Sequence, residues 1–400
     1  MKIFRPNCEA IILTLSQVFN DGSHLGKTLD KTLHSNKKLG AKDRHFIAQA
    51  VYEIVRYKRL FTHLSNQEYN SQNIDCNQVL GAYLLKNEVE LPSWFNILEK
   101  DAEIIKYNLS EQADEKISQS YTDWFYEYGT KKFGTDWSLV SKQLNIPAEV
   151  FIRVNSCKTD KTKLQKKLTA SGVQTELVPE VANALKIIGK HKLTALESFS
   201  NGEFEFQDIS SQMVVEFCGA ENAESIADIC AGAGGKSLYL SETLNHKGSI
   251  FSFDIYENKL KTLTERAKKA GAKNIKTFLS DNPIKNDLKG RLDLVLIDSP
   301  CSGSGVIRRN PENKWNLTED AIKTLPILQE NILHKNAGLV KRNGVLVYAT
   351  CSIIAEENEK IIQEFLKGNQ EFELIAEKKL VPGLSTNYDG FYMAKMVRRA

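Results

Sequence analysis

Two of the seven cysteines in this 400-residue chain stand just past apolar runs. Cys301 stands near the end of "LDLVLIDSPCSG" and Cys351 near the end of "GVLVYATCSI", and Asp298 precedes the first of them. Either cysteine alone is explained by burial, because free cysteine is a common core residue. Two of them, each past the end of a strand-like run and accompanied by an acid, fit covalent catalysis better. A thiolate adds readily to carbon, although a free thiol of pKa ~8.5 is mostly protonated at neutral pH unless its site intervenes. The methylation of cytosine at C5 asks for this set. C5 is a poor nucleophile until a thiolate attacks C6 and turns the ring into an enamine. A group must protonate or bond N3, and a base must take the C5 proton before the thiolate leaves.

The loop "DICAGAGGKS" points to the second reactant. It contains Cys230, Ala231, Gly232, Ala233, Gly234, Gly235 and Lys236 between an apolar run and a helical one. A phosphate-binding GxxxxGK[ST] loop requires glycine at 230, and a dinucleotide GxGxxG requires it at 237, where Ser237 stands. What survives is a backbone able to approach a ligand closely at a helix start. Asp254 ends one strand-like segment, Asp281 follows the next and Asp298 ends the one after it. Three acids at consecutive strand ends repel pyrophosphate. They suit ribose hydroxyls, an adenine amine and a cationic sulfonium, which together describe S-adenosylmethionine. One such aspartate is often a mere cap or turn residue, but three in register are not.

These residues must be placed by alternating strands and helices. The segments "SIADICA", "SIFSFDI", "NIKTFLS", "LDLVLID" and "GVLVYAT" read as strands separated by helices such as "ENKLKTLTERAKKAG". The pattern predicts an α/β domain over 206–400 with a parallel sheet, whose ligands sit beyond the carboxyl ends of the strands. Residues 116–205 predict a small α/β module with a strand in "EVFIRVNSCK" and a helix in "DKTKLQKKLTASGV". Residues 1–115 predict helices; Phe46, Ile47, Ala50, Val51, Ile54 and Val55 form one apolar stripe. Basic residues cluster near its middle at Lys37, Lys38, Lys42, Arg44, Arg56, Lys58 and Arg59. The odd cysteine count without CxxC predicts neither a disulfide framework nor a metal site. The absence of long apolar runs and of a secretory leader predicts a cytoplasmic protein with no membrane partner.

The motif series "DICAGAGGKS", "SFDI", "LSDN", "LIDSPCSGSGVIRRNPENKW" and "YATCS" resembles the RsmB/Sun family of RNA cytosine-5 methyltransferases. "FEFQDISSQMV" and "DGFYMAKM" add to the likeness, which covers roughly residues 120–400. It implies a Rossmann-like S-adenosylmethionine-dependent methyltransferase domain. It implies Cys351 as nucleophile and Cys301 as the group that assists product release. Residues 230–236 with Asp254, Asp281 and Asp298 would contact the cofactor, and Asp298 would also face the cytosine. The chain departs from the family in having Ala233 where proline is usual and DSPC where DAPC is usual. A loop without that proline is less stiff before binding. "LGAKDRHFIAQAVYEIVRYKRLF" is similar to the NusB-like helical domain of bacterial small-subunit rRNA methyltransferases, which implies 16S rRNA as the partner.

A target base must be unpaired or flipped to reach such a site. Arg308, Arg309 and Lys314 follow the PCSG turn and are candidates for phosphate contacts, with Trp315 either a stacking platform or core. A monomer is expected. Three alternatives stay open: exchanged roles for the two cysteines, a tRNA substrate, and a non-catalytic NusB-like RNA-binding assembly factor.

Overall fold

A computed structural model describes residues 3–399. The stripe read between Phe46 and Val55 lies on the helix Ala41–Arg56, with Ile47, Ala50, Val51, Ile54 and Val55 wholly buried. It packs with the helices Arg5–Phe19, Leu25–Ser35, Lys58–Leu64, Cys76–Lys86 and Glu99–Ser110 around one core. Gly40 and Asp43 cap its first turn, where an acid also suits the helix dipole. The aromatic stretch assigned to the middle module forms the helix Asp123–Phe133, followed by Trp137–Asn145. Tyr121, Phe125 and Trp137 meet edge to face there, with centroids 5.4 to 5.7 Å apart. All these helices belong to one compact unit that ends at Asn145 and also takes in Arg309–Thr318.

The second compact unit holds Ile146–Arg308 and the chain from Glu319 onward. Its smaller sheet is antiparallel, with β1 (Val150–Val154), β2 (Gln174–Leu177), β3 (Ala184–Ile188) and β4 (Phe204–Phe206) in the order β2-β3-β1-β4. The helix Lys161–Ala170 sets Leu164 and Leu168 against it. The larger sheet has seven strands: β5 (Ser225–Ile229), β6 (Ser249–Asp254), β7 (Ile275–Leu279), β8 (Leu292–Asp298), β9 (Val340–Thr350), β10 (Phe372–Leu380) and β11 (Phe391–Arg398). Their order is β10-β11-β9-β8-β5-β6-β7. Strands β5 to β9 run parallel, as the alternating pattern predicts, and β11 and β10 extend the sheet antiparallel past β9. This is the Rossmann-like architecture expected.

The chain order reverses between β5 and β8. That switch point is where open parallel sheets bind ligands. Register does the positioning: Ile229 lies opposite both Phe253 and Ile297, and Asp298 lies opposite Ala349. The ends of β6, β5, β8 and β9 therefore stand side by side.

Candidate active site

The glycine loop leaves β5 through Cys230, whose φ is +62°. A side-chain residue in the left-handed region is strained, and such strain gathers at functional turns. Gly234 has φ +85°, and a Cβ there would overlap the Leu263 side chain, whereas a Cβ on Gly232 would meet no atom within 4 Å. The loop is thus pressed against its own helix layer on one side and faces open space on the other. The helix Gly235–Thr243 starts directly behind it.

Asp254 braces this loop. Its Oδ2 accepts from the Gly232 amide at 2.8 Å and its Oδ1 from the Tyr256 amide at 2.9 Å. Each oxygen keeps a lone pair for a further donor. Asp281 is exposed beyond the end of β7. Asp228, inside β5, has no exposed surface; its Oδ2 accepts from Ser237 and its Oδ1 has no protein partner. Burial pushes its carboxyl up to about 7, with the charges of Asp298 and Asp254 adding to the shift. Burial likewise pushes the Cys230 thiol up to about 12, reinforced by Asp298, Asp254 and Asp228, so this cysteine is an inert lining group. Backbone amides and glycine space beside several acids form a donor and acceptor set that fits ribose and a cationic sulfonium.

The two cysteines meet. Cys301 Sγ lies 3.3 Å from Cys351 Sγ, and both side chains are partly exposed. The hydrogen bond to Cys351 is the main reason the Cys301 thiol is held well above the usual range, followed by burial and then the charges of Cys351 and Glu357. Either sulfur can donate the S–H of this contact. Asp298 Oδ2 is 2.6 Å from Lys236 Nζ. Burial opposes the Lys236 charge, but the Asp298 carboxylate outweighs it and raises the lysine's pKa, with Cys351 a weaker contributor. Lys236 thus reaches from the glycine loop to the Asp298 carboxylate at the end of β8.

The cations expected to meet RNA are placed otherwise. Lys314 is fully buried; its ammonium donates to Asn145 Oδ1 at 2.9 Å and lies 4.4 Å from the Tyr121 ring centroid. Burial depresses its pKa well below the usual range. Arg308 is buried and donates to the carbonyls of Ile146 and Asn387. Both are corrected to interior anchors, since neither can leave its partners for a phosphate without stranding buried polar groups. Arg309 is half-buried. Trp315 is core, its indole donating to Val55 O at 2.7 Å. The basic cluster also divides. Arg44 donates to the carbonyls of Leu33, Asn36 and Leu39, Arg56 and Lys58 are buried, and Arg59 pairs with Asp123 at 2.9 Å. Lys37, Lys38 and Lys42 remain exposed.

Asp228, the Lys236–Asp298 pair and the groups around Glu357 were not singled out from sequence. A charge inside the apolar run "SIADIC" was an available signal for the first. Nothing local marked the others.

A doubly wound sheet with a glycine loop and strand-end acids at its switch point defines an S-adenosylmethionine-dependent methyltransferase fold. The family model described as 16S rRNA methyltransferase RsmB/F matches residues 216–397, and that of the Methyltr_RsmF/B-like, ferredoxin-like domain matches 121–194. The "Probable ribosomal RNA small subunit methyltransferase B" of Bacillus subtilis (strain 168) is 32% identical over 65% of this chain and 59% of its own length. The chain thus aligns with about three-fifths of that relative. The like-named protein of a Synechocystis species is 28% identical over 90% of this chain and 89% of its own length. A solved structure, of a methyltransferase homolog protein from Pyrococcus horikoshii, superposes with TM-score 0.63 at 27% identity, over 71% of this chain and 98% of that one. The chain belongs to the RsmB/F family of rRNA methyltransferases, whose methyl donor is S-adenosylmethionine.

Proposed function

We propose that this protein makes 5-methylcytosine in 16S rRNA through a covalent adduct between Cys351 and C6 of the target base. The observation that carries the reading is the 3.3 Å approach of the two sulfurs beside the Asp298–Lys236 pair. The names of the relatives favour small-subunit rRNA over tRNA, and the complete set of chemical groups disfavours a purely structural assembly role.

S-adenosylmethionine, when bound, supplies an electrophilic methyl group on a sulfonium. The loop 230–236 with Asp254, Asp281 and Asp298 would hold it. The raised Cys301 thiol is the poorer candidate for attack, which supports Cys351 as nucleophile over the exchanged assignment. Its sulfur forms the C6–S bond, and the C5=C6 π electrons become available at C5. Lys236 occupies Asp298 Oδ2, so Oδ1 is the oxygen left to accept from N3–H once N3 takes up a proton from solvent on C6 attack, a proton that N3 returns to solvent when C5=C6 re-forms. Once Cys351 is a neutral thioether, the main cause of the raised Cys301 pKa is gone. Cys301 can then shed its proton to solvent and act as the base. After methyl transfer it takes the C5 proton, C5=C6 re-forms, and the C6–S electrons return to Cys351.

The test is adduct formation with 16S rRNA fragments carrying 5-fluorocytosine, resolved by denaturing gel. Wild type and Cys301→Ala are expected to retain a covalent band, and Cys351→Ala to lose it. A band that persists in Cys351→Ala and vanishes in Cys301→Ala would reverse the roles. No band in any protein, with normal RNA binding, would sink the C5 chemistry.

A further inference from the structure

Glu357 has no exposed surface, yet its carboxylate accepts four hydrogen bonds, all from neutral donors. Oε1 accepts from the Ser302 amide at 2.7 Å and from Gln329 Nε2 at 3.0 Å. Oε2 accepts from the hydroxyls of Ser302 and Ser352. Each serine directly follows one of the paired cysteines. Gln329 also donates to Pro300 O at 2.9 Å, on the other side of Cys301. The Glu357 main chain is held in turn, its carbonyl accepting from Tyr348 OH at 2.8 Å. A buried carboxylate without its donors is costly, so this network is rigid when complete.

We propose that Glu357 is a positioning residue of the methyl-transfer site: its carboxylate joins the turn bearing Cys301 to the turn bearing Cys351 and so sets the approach of the two sulfurs. The inference rests on the roles given to the cysteines above. Secondary bonds point the same way: Ser304 Oγ meets Ser352 Oγ at 2.9 Å, and the Gly305 amide donates to Cys351 O at 2.9 Å. These contacts register the two turns, but Glu357 is the charged group common to both. Its charge abuts the 301–302 peptide and disfavours a second negative charge on Cys301.

Two readouts test this. The first needs no RNA: full-length protein is alkylated with iodoacetamide across pH, and labelling of Cys351 and Cys301 is compared by peptide mass spectrometry. Glu357→Gln keeps the side chain's shape but replaces an acceptor with a donor that faces other donors. It is expected to lower the preference for Cys351 by about tenfold or more, and Glu357→Asp to recover part of it. The second readout is steady-state methyl transfer. A displacement of reacting groups predicts a kcat loss of roughly 10- to 100-fold in Glu357→Gln, with KM for RNA and for S-adenosylmethionine within about threefold of wild type. Wild-type labelling preference and kcat in Glu357→Gln would overturn the proposal, as would a kcat loss matched by equal loss of cofactor affinity. If that variant does not fold, Ser352→Ala removes one leg of the clamp and leaves the charge. Several-fold losses in labelling preference and kcat then support the clamp, and wild-type values overturn it. Should wild type give no 5-fluorocytosine adduct, the catalytic reading fails, while the alkylation ratio still decides whether Glu357 governs the thiol pair.

Discussion

At the scale of single residues, Asp228 couples stability to pH. Its folded pKa is pushed up to about 7 from an ordinary 3.8 by burial and neighbouring acids. The folded protein keeps a proton that the unfolded chain has released, so this group's contribution is full below pH ~4 and is lost as pH rises through about 7. Asp228→Asn cannot ionise and escapes that loss. Urea unfolding at pH 5 and pH 8 is expected to show the variant gaining more than about 1.4 kcal/mol relative to wild type at the higher pH. Equal pH dependence in both proteins would refute the argument. The acid was visible as an interruption of an apolar run. That it is enclosed by Ser237, Ser252 and Lys236 was not, because those contacts depend on how the loop folds back over β5.

Among elements, the helix behind the glycine loop is tied to the small sheet by a buried ion pair. Arg153 on β1 has no exposed surface, and its Nη2 meets Glu242 Oε1 at 2.7 Å. Its Nη1 donates to Gly235 O at 3.1 Å, at the start of that helix. Burial raises the Glu242 pKa even against the opposing charge of Arg153. Removing one partner strands the other, so Arg153→Met is expected to cost roughly 3–5 kcal/mol in urea unfolding. Adding Glu242→Leu should recover most of it, with strongly non-additive effects in the double-mutant cycle. Additive losses would mean that the pair contributes little beyond its packing. The strand was legible in "EVFIRVNSCK", but its arginine gave no sign that its partner lay in the helix after the glycine loop.

On the scale of the whole molecule, the helical unit includes a piece of chain remote in sequence. Residues Arg309–Thr318 belong to it, with Trp315 packed on its core and Lys314 donating to Asn145 and facing Tyr121. Separately translated fragments 1–145 and 146–400 are therefore expected to copurify when co-expressed. Trp315→Ala in the larger fragment removes an indole and its bond to Val55 O, a loss worth roughly 3–5 kcal/mol, and should abolish capture. Capture unchanged by Trp315→Ala would show that other surfaces hold the fragments together.

What the amino-acid order determined by itself is what repeats locally. Helical stripes such as Ile47–Val55, the five parallel strands and the placement of Asp298 at a strand end and of Cys301 and Cys351 past strand ends all follow from periodicity and turn composition. Tertiary structure decided what joins distant segments. It turned Arg308 and Lys314 inward, set the antiparallel β10 and β11 beside β9, linked Lys236 to Asp298, and laid Glu357 under both thiol turns. The physical reason is that a charged side chain reads as solvated wherever it stands in sequence. Only the folded chain supplies the remote amides, hydroxyls, rings and counter-charges that let it be buried.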